Sequence, residues 1–275
     1  MEEPFRILHP VKYYKEHFLC GVRPDGRKLD KFRPVVLNAG SIQTADGSAF
    51  AKVGDTSVMC GIKAELCTPK PENSKEGFLI PNIELSPLCS PKFKPGPPSE
   101  EAQIATQLLA DIIKSSKCLN PEELCLFPEK LAWCLFADLE CISYDGSLID
   151  ACVIALITAL KTVRLPMVDY DPATGNKIVK EEEKRCLNIV STPICSTFSI
   201  FEEKMTLFDP THEEESISSC TLNIVIKDDQ ICSVHKPGGA PICDDDLLNC
   251  IEKSKERAKE ICELIDKAMQ TFKTT

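Results

Sequence analysis

The 275-residue sequence lacks the features that mark several specialised classes of protein. No run approaches the ~20 apolar residues that a helix needs to cross a bilayer, so we expect no membrane segment. The first residues contain no apolar core of the kind found in a secretory signal peptide. Glycine and proline, with 12 and 20 residues, are scattered and form no low-complexity tract. These absences favour a globular protein of one large or two small domains.

Positive charge is also scarce in this chain. It has 32 Lys and Arg residues against 42 Asp and Glu residues, which gives a formal net charge of -10 and an isoelectric point of about 5.1. An acidic chain does not hold nucleic acid through bulk electrostatic attraction. A local basic path inside a larger assembly stays compatible with this composition.

Cysteine is abundant, with 16 residues, yet no Cys-x-x-Cys motif occurs. The spacings between cysteines do not match those of known zinc sites. Without a signal peptide we expect a reducing compartment, where most of these thiols are free and act as small buried hydrophobes. A metal site is the alternative. We expect neither a metal nor a cofactor.

Apolar patterns in the first part of the chain predict a helical arm over residues 1–20 and a buried core helix over residues 150–163. Ser99 is predicted to cap another helix, since two glutamates and an apolar stripe with a period of 3.6 residues follow it. A proline-rich segment is predicted to be irregular over residues 67–99. Strands are predicted at 33–38, 47–53, 57–64 and 131–142.

In the second part of the chain, residues 169–184 are polar and charged, and we predict an exposed connection there. A final helix is predicted over residues 244–272. Each half therefore runs from strands to a packing helix, which predicts an α+β fold of two fused subdomains. The strands of the second half are predicted at 187–193, 197–208, 219–227 and 230–235.

The most informative stretch is Asp-Gly-Ser-Leu-Ile-Asp-Ala, residues 145–151, between a predicted strand and the predicted core helix. A strand–turn–helix of this kind aims backbone N–H groups and the helix dipole at an anion. A working phosphate site would add a hydroxyl and a guanidinium group. Those places are held by Leu148 and Ile149, and neither side chain can donate a hydrogen bond to an oxyanion.

Four stretches, in this order, resemble motifs of the RNase PH family of phosphorolytic 3′→5′ exoribonucleases. They are Arg23-x-Asp25-Gly26-Arg27 with Phe32-Arg33-Pro34; Asp46-Gly47-Ser48-Ala49 with Gly54-Asp55-Thr56-Ser57-Val58; residues 145–151; and Asp209-Pro210-Thr211 with Glu213-Glu214-Glu215. Each motif is weak alone, but together they cover most of the chain. The resemblance implies the RNase PH fold, an α+β fold of two fused subdomains of β-sheet packed with helices, over residues 1–190 and 191–275.

Comparison with the family's active members predicts that this chain lacks the residues needed for phosphorolysis of RNA. Those members carry Asp-Gly-Gly-Thr-Arg-Thr-Ala at the turn, where this chain has Leu148 and Ile149. Their pair of carboxylates falls here at Glu215 and Thr221, and a threonine replaces neither a general acid nor a ligand of a hard cation. The helix after Ser99 contains none of the RNA-holding arginines that active members carry. We therefore expect no catalytic residue and no enzymatic activity.

A few basic residues are candidates for contact with RNA. Lys92 and Lys94 lie on either side of Phe93, a basic–aromatic pattern typical of single-strand contacts, although an exposed loop is the alternative. Arg23 and Arg27 could meet phosphates, or they could pair with nearby aspartates and set the turn. The run of three glutamates after Asp-Pro-Thr is either a solvated turn, a residual metal site or a subunit contact.

The resemblance implies a non-catalytic structural subunit of the RNA exosome, and residues 95–102 favour one ring subunit over its neighbours. The implied partners are other RNase PH-like subunits in a six-membered ring, OB-type RNA-binding cap subunits, a separate catalytic nuclease, and RNA threaded through the channel. The implied roles are rRNA maturation and the decay of mRNA and non-coding RNA in the nucleus, nucleolus and cytoplasm. The alternatives are an active phosphate-dependent 3′→5′ exoribonuclease and a redox or small-molecule protein that uses the cysteines.

Overall fold

A computed structural model describes residues 6–170, 177–202 and 205–274. The chain contains both helices and largely antiparallel sheets, so the predicted α+β class is confirmed. In the described ranges no helix is long and apolar enough to cross a membrane. The helices are α1 (Pro10–Leu19), α2 (Glu100–Ser116), α3 (Leu148–Thr162), α4 (His212–Ile217) and α5 (Asp244–Thr274).

The first sheet has six strands in the order β1-β2-β3-β6-β4, with the short β5 also paired to β6. All pairs are antiparallel except β4 with β6, which run parallel. The strands are β1 (Val35–Ala39), β2 (Gly47–Val53), β3 (Thr56–Cys67), β4 (Phe78–Leu85), β5 (Cys125–Phe127) and β6 (Leu131–Ser143). β4 contains Pro81, which this strand tolerates because it lies at the edge of the sheet.

The second sheet is fully antiparallel, in the order β10-β9-β11-β12. Every residue of β9 is buried, since α3 and α5 both pack against it. The strands are β9 (Ile194–Phe201), β10 (Met205–Phe208), β11 (Cys220–Lys227) and β12 (Gln230–His235). In chain order, a separate hairpin of β7 (Arg164–Tyr170) and β8 (Lys177–Cys186) comes after the strands of the first sheet and before those of the second.

α3 is the centre of the molecule. It packs on β2 and β3 of the first sheet and on β9 of the second, and 13 of its residues are buried. This position explains why the helix is apolar almost all round, as the sequence predicts. Its first turn therefore lies where the two sheets meet. The predicted boundary at residue 190 falls between the two sheets, and its position stays a prediction.

Several predicted elements are wrong. Residues 169–184 are not a plain connection but supply most of the β7–β8 hairpin, whose second strand is mostly charged and so shows no apolar alternation. Residues 187–193 contribute an isolated bridge from Ile189 and no strand, and the Val190 N–H donates to the carbonyl of Cys118, a loop residue. The strand predicted over 197–208 breaks into two, with Glu202 at a left-handed φ of 48°. Segment 67–99 contains β4.

Candidate functional site

The degenerate positions found in the sequence meet in one cleft. Leu148 and Ile149 begin α3, and Thr221 lies on β11, yet all three line the same cleft of about 380 Å³. Lys92, from the proline-rich segment, lines it too. The walls of this cleft come from both halves of the chain, so the N-terminal end of α3 opens into the junction between the sheets.

The turn before α3 is held in a tight left-handed conformation. Gly146 has a φ of 74° and Ser147 a φ of 48°. A side chain at residue 146 would meet the carbonyl oxygen of Pro210 at 2.5 Å, so only glycine fits. The hydroxyl of Thr56 donates to the Gly146 carbonyl at 2.7 Å and accepts the N–H of Asp145 at 3.0 Å. The hydrogen bonds of Thr56 and the close approach of Pro210 therefore fix the conformation of this turn.

Glu215, on the short helix α4, reaches this turn. The backbone N–H of Ser147 donates to Oε1 of Glu215 at 2.8 Å, and the hydroxyl of Tyr144 lies 3.4 Å from Oε2. Burial raises the pKa of Glu215 to about 7, and the Ser147 hydrogen bond and the charge of Arg33 only partly offset it. A carboxyl group of the chain itself thus lies against an amide at the start of α3.

Arg33 joins the first of the four motifs to the third and the fourth. Its guanidinium donates to both carboxylate oxygens of Asp209, at 2.7 and 3.0 Å, and to the backbone carbonyl of Asp145 at 2.7 Å. Both Arg33 and Asp209 are buried. Burial alone would raise the pKa of Asp209, but the hydrogen bonds and charge of Arg33 outweigh it and lower the pKa to about 2. These motif residues therefore form a structural joint.

Arg23 and Arg27 take structural positions in the first motif. The guanidinium of Arg23 has no exposed surface and donates to the carbonyls of Phe208 and Leu29, at 2.5 and 2.7 Å, beside the carboxylate of Glu214. These partners differ from the nearby aspartates that the alternative names for Arg23, and RNA contact by Arg23 stays a prediction. Arg27 pairs with Asp25 at 2.5 Å and keeps only 15% of its side chain exposed, and RNA contact by Arg27 stays a prediction.

Lys92 lies at the mouth of the cleft, while Lys94 is exposed beyond it. The ammonium group of Lys92 lies 2.6 Å from Glu101 and 5.9 Å from the centre of the Tyr144 ring. Phe93 is buried and packs edge-on against Tyr144, so it cannot stack on a base in this conformation. The basic part of the predicted pattern is therefore accessible, and the aromatic part belongs to the fold.

Asp150 is a buried carboxylate whose partner could not be predicted from the sequence. It is fully buried in α3 and accepts hydrogen bonds from the backbone N–H and the hydroxyl of Thr197, at 2.9 and 2.7 Å. Burial and the nearby charge of Asp209 raise the pKa of Asp150 to about 6. A lone carboxylate in an apolar helix was the signal that could have found this link between α3 and the second sheet.

The cysteines do not build a reactive centre in the described residues. All 16 are free, and nine of them are buried. Burial raises the pKa of Cys134 to about 11 and that of Cys250 to about 12, so both thiols stay protonated near neutral pH. The nine buried thiols act here as small apolar side chains.

Comparisons with known proteins agree with this geometry. Residues 31–166 match domain 1 of the 3′ exoribonuclease family, and residues 191–257 match domain 2. Exosome complex component rrp43 of Schizosaccharomyces pombe is 39% identical over 254 residues, which cover 92% of this chain and 94% of that protein. Exosome complex component Rrp42 of Pyrococcus furiosus is 35% identical over 249 residues, covering 90% of this chain and 89% of that protein.

Solved structures resemble the whole chain as well. A chain of the Archaeoglobus fulgidus exosome with RNA bound to the active site superposes with a TM-score of 0.81 at 30% identity, over 92% of this chain and 96% of that one. A chain of an archaeal exosome core gives a TM-score of 0.80 at 27% identity, over 97% and 100%. The similarity thus extends over both sheets and the helices between them.

Proposed function

This chain belongs to the RNase PH family of 3′ exoribonucleases, and we propose that it is a non-catalytic structural subunit of the RNA exosome ring. Its similarity to the fission-yeast component rrp43 extends over 92% of the chain. The run at residues 95–102 and the Asp-Pro-Thr turn favour the same subunit, ribosomal RNA-processing protein 43, over other ring components. The chain would supply interfaces and part of the channel wall.

The composition of the cleft carries the non-catalytic part of this proposal. Phosphorolysis needs a bound inorganic phosphate and a group that offsets charge on the leaving oxygen. The cleft offers Leu148 and Ile149 where a phosphate would be held, and Thr221 in place of the second carboxylate. The remaining carboxylate, Glu215, already accepts the Ser147 N–H. The alternative of an active phosphorolytic enzyme requires donors that these side chains do not have.

In the assembly, this subunit would stand beside other RNase PH-like subunits in a six-membered ring. OB-type cap subunits would bind RNA above it, and a separate nuclease would cut the RNA after it has passed through the channel. A net charge of -10 suits a wall that lets RNA pass without trapping it. The products would include matured rRNA and the fragments of decayed mRNA and non-coding RNA, in the nucleus, nucleolus and cytoplasm.

Activity is tested with the purified full-length chain, RNA, inorganic phosphate and Mg²⁺. We expect no release of nucleoside diphosphates above a no-protein control. A phosphorolytic RNase PH enzyme in the same buffer serves as the positive control. Phosphate-dependent turnover that stays with the chain through further purification would overturn the non-catalytic assignment.

Assembly is tested by co-expression with other RNase PH-like exosome subunits and native mass spectrometry. We expect a stoichiometric ring, whereas the chain alone should self-associate or be poorly soluble, because unpaired sheet edges are templates for aggregation. Stable ring contacts bury on the order of 2,000 Å² or more. A chain that stays monomeric in the presence of those subunits contradicts the ring role.

A further inference from the structure

Three polar side chains in contact with one another run from the buried helix α3 to the cleft. The hydroxyl oxygen of Thr197 lies 2.7 Å from Oδ1 of Asp150 and 2.9 Å from Oδ1 of Asn223. Asp150 has no exposed surface, and Thr197 and Asn223 keep only 4% and 9% of theirs exposed. Thr197 and Asn223 lie opposite each other on β9 and β11 and both line the cleft, so the sheet fixes their contact.

These contacts contain one acceptor too many when Asp150 is ionised. A threonine hydroxyl has a single proton and can donate to only one oxygen at a time. The carboxylate of an ionised Asp150 takes that proton, and it also accepts the backbone N–H of Thr197 at 2.9 Å. No proton then remains between the oxygen atoms of Thr197 and Asn223, and two buried acceptors in contact without a proton between them are unfavourable.

Two arrangements satisfy every one of these contacts. If Asp150 is protonated, it donates to the hydroxyl of Thr197, and that hydroxyl donates to the amide oxygen of Asn223. If Asp150 is ionised, it accepts the hydroxyl proton, and a half-turn of the Asn223 amide brings its NH₂ group to Thr197 as the donor. Within the described residues, the contact with Thr197 is the only hydrogen bond of the Asn223 side chain, so no second bond opposes this turn.

We propose that Asp150, Thr197 and Asn223 form a proton-dependent amide switch, in which ionisation of Asp150 turns the Asn223 amide and changes one wall of the cleft. With Asp150 protonated, the NH₂ group of Asn223 faces the cleft as a hydrogen-bond donor. With Asp150 ionised, the amide oxygen faces the cleft as an acceptor. The cleft therefore offers a polar ligand a donor at low pH and an acceptor at higher pH. The switch does not depend on a role in a ring.

The charged groups around Asp150 set the pH at which the amide switch turns. Burial and the charge of Asp209 raise the pKa of Asp150 to about 6, and the Thr197 hydrogen bonds and the charge of Arg257 only partly oppose this rise. Asp209 itself is paired with Arg33 and has a pKa of about 2, so it stays charged through this range. The other titratable or charged groups that interact with Asp150 are Arg33 before β1, Cys152 on α3, Cys195 on β9 and Glu215 on α4.

The amide switch is tested by nuclear magnetic resonance on the full-length chain, labelled with nitrogen-15 at asparagine and carbon-13 at the threonine methyl groups. The side-chain signal of Asn223 is identified by its loss in Asn223→Ala. We expect this signal to shift in one transition near pH 6. Cross-relaxation between the Asn223 NH₂ protons and the Thr197 methyl group should strengthen from about pH 5 to about pH 8, because the NH₂ group then faces Thr197.

Asp150→Asn is the matched variant, because its amide accepts the Thr197 N–H and donates to the Thr197 hydroxyl at every pH, as the protonated carboxyl group does. The Asn223 signal should stay at its low-pH position in this variant, and the cross-relaxation should stay weak. A turn that persists in Asp150→Asn would be driven by Glu215 or His212, which line the same cleft, and would overturn the proposal. An unaltered chain whose cross-relaxation does not change with pH likewise overturns it.

Two substitutions of Thr197 keep the proposal testable if Asp150→Asn does not fold. Thr197→Ser keeps the hydroxyl group and should keep the pH-dependent shift of the Asn223 signal, whereas Thr197→Val removes the hydroxyl group and should abolish the shift. Asn120, whose amide oxygen accepts the backbone N–H of Glu122 at 3.2 Å, provides a reference signal that should not follow the transition. A shift that survives in Thr197→Val, or one that is lost in Thr197→Ser, contradicts a coupling through the hydroxyl group.

Discussion

The buried joint at Arg33 and the cleft at Ile149 are both built from residues of the family motifs. The joint keeps its polar contacts, whereas the cleft has apolar side chains at its motif positions. In the joint, Arg33 still meets Asp209 and Asp145 with hydrogen bonds of 2.7 to 3.1 Å. In the cleft, apolar Leu148 and Ile149 stand where the family resemblance predicts polar ligands. The joint fastens the two halves of the chain, and a subunit needs that fastening whether or not it catalyses. The comparison separates motif residues that serve the fold from those that serve chemistry.

The largest expected effect is on stability and comes from breaking the joint. Arg33→Ala leaves the buried carboxylate of Asp209 without its main partner, which should cost about 3–5 kcal/mol of unfolding free energy. Urea denaturation of the variant measures this loss. The matched control is Lys15→Ala, whose pair with Glu202 is exposed on both sides and should cost less than about 1 kcal/mol. If both variants lost a similar amount of unfolding free energy, the joint would have no special structural role.

A smaller effect is expected from the protonation of Glu215. Burial raises its folded pKa from 4.5 to about 7, so the folded chain binds the proton more tightly than the unfolded chain. The stability that this gives is present below the unfolded pKa and is lost as pH rises through about 7. The unaltered chain should therefore lose stability relative to Glu215→Gln between about pH 5 and 8, by on the order of 1 kcal/mol after discounting for partial exposure.

Both chains retain Asp150 and His212, so the difference between them at each pH reports Glu215 together with its electrostatic coupling to these neighbours. Thermal melts in buffers of equal ionic strength provide the measurement. Parallel pH profiles for the two chains would show that the carboxyl group of Glu215 is as well solvated in the folded state as in the unfolded one.

The joint and the cleft also show which features could be predicted from the sequence and which could not. Fold class, the cap at Ser99 and the core helix followed from local patterns, because apolar periodicity and caps depend on neighbouring residues. The hydrogen bond between Arg33 and Asp209 joins residues 176 positions apart, and no local pattern contains that information. The resemblance identified both motifs but not their contact.

Local sequence patterns did not predict strands whose residues are mostly charged or include proline. β8 is mostly charged and escaped prediction because neither of its faces supplies an apolar alternation. β4 was not predicted because it lies in the proline-rich segment. An edge strand tolerates Pro81, since the missing N–H need not pair with a neighbouring strand. For the site, Leu148, Ile149 and Thr221 could be named from the sequence, while the placement of Glu215 on the Ser147 N–H could not. That contact depends on how α4 packs against the turn before α3.

A modest effect on RNA binding is expected at the mouth of the cleft. Lys92→Glu with Lys94→Glu should weaken RNA capture by the assembled complex and leave assembly unchanged. Each phosphate contact that is lost should reduce the slope of log affinity against log salt by about one unit. Because Lys92 already pairs with Glu101, Lys94→Glu alone should account for much of the change. Unchanged slope and affinity would assign both lysines to a solvated loop.

The last prediction is that a variant gains no activity, and it tests the comparison between the joint and the cleft most directly. Ile149→Arg with Thr221→Asp returns two of the lost ligands to the cleft, yet we expect no phosphorolysis of RNA. The introduced guanidinium would face the carboxyl group of Glu215, which already holds the Ser147 N–H at 2.8 Å. The helix after Ser99 would still lack arginines to hold the RNA, and a site without its supporting shell is not preorganised. The assay is release of nucleoside diphosphates, with a phosphorolytic RNase PH enzyme as positive control. Robust turnover by the double variant would mean that the cleft, like the joint, has kept its architecture intact and lost only two side chains.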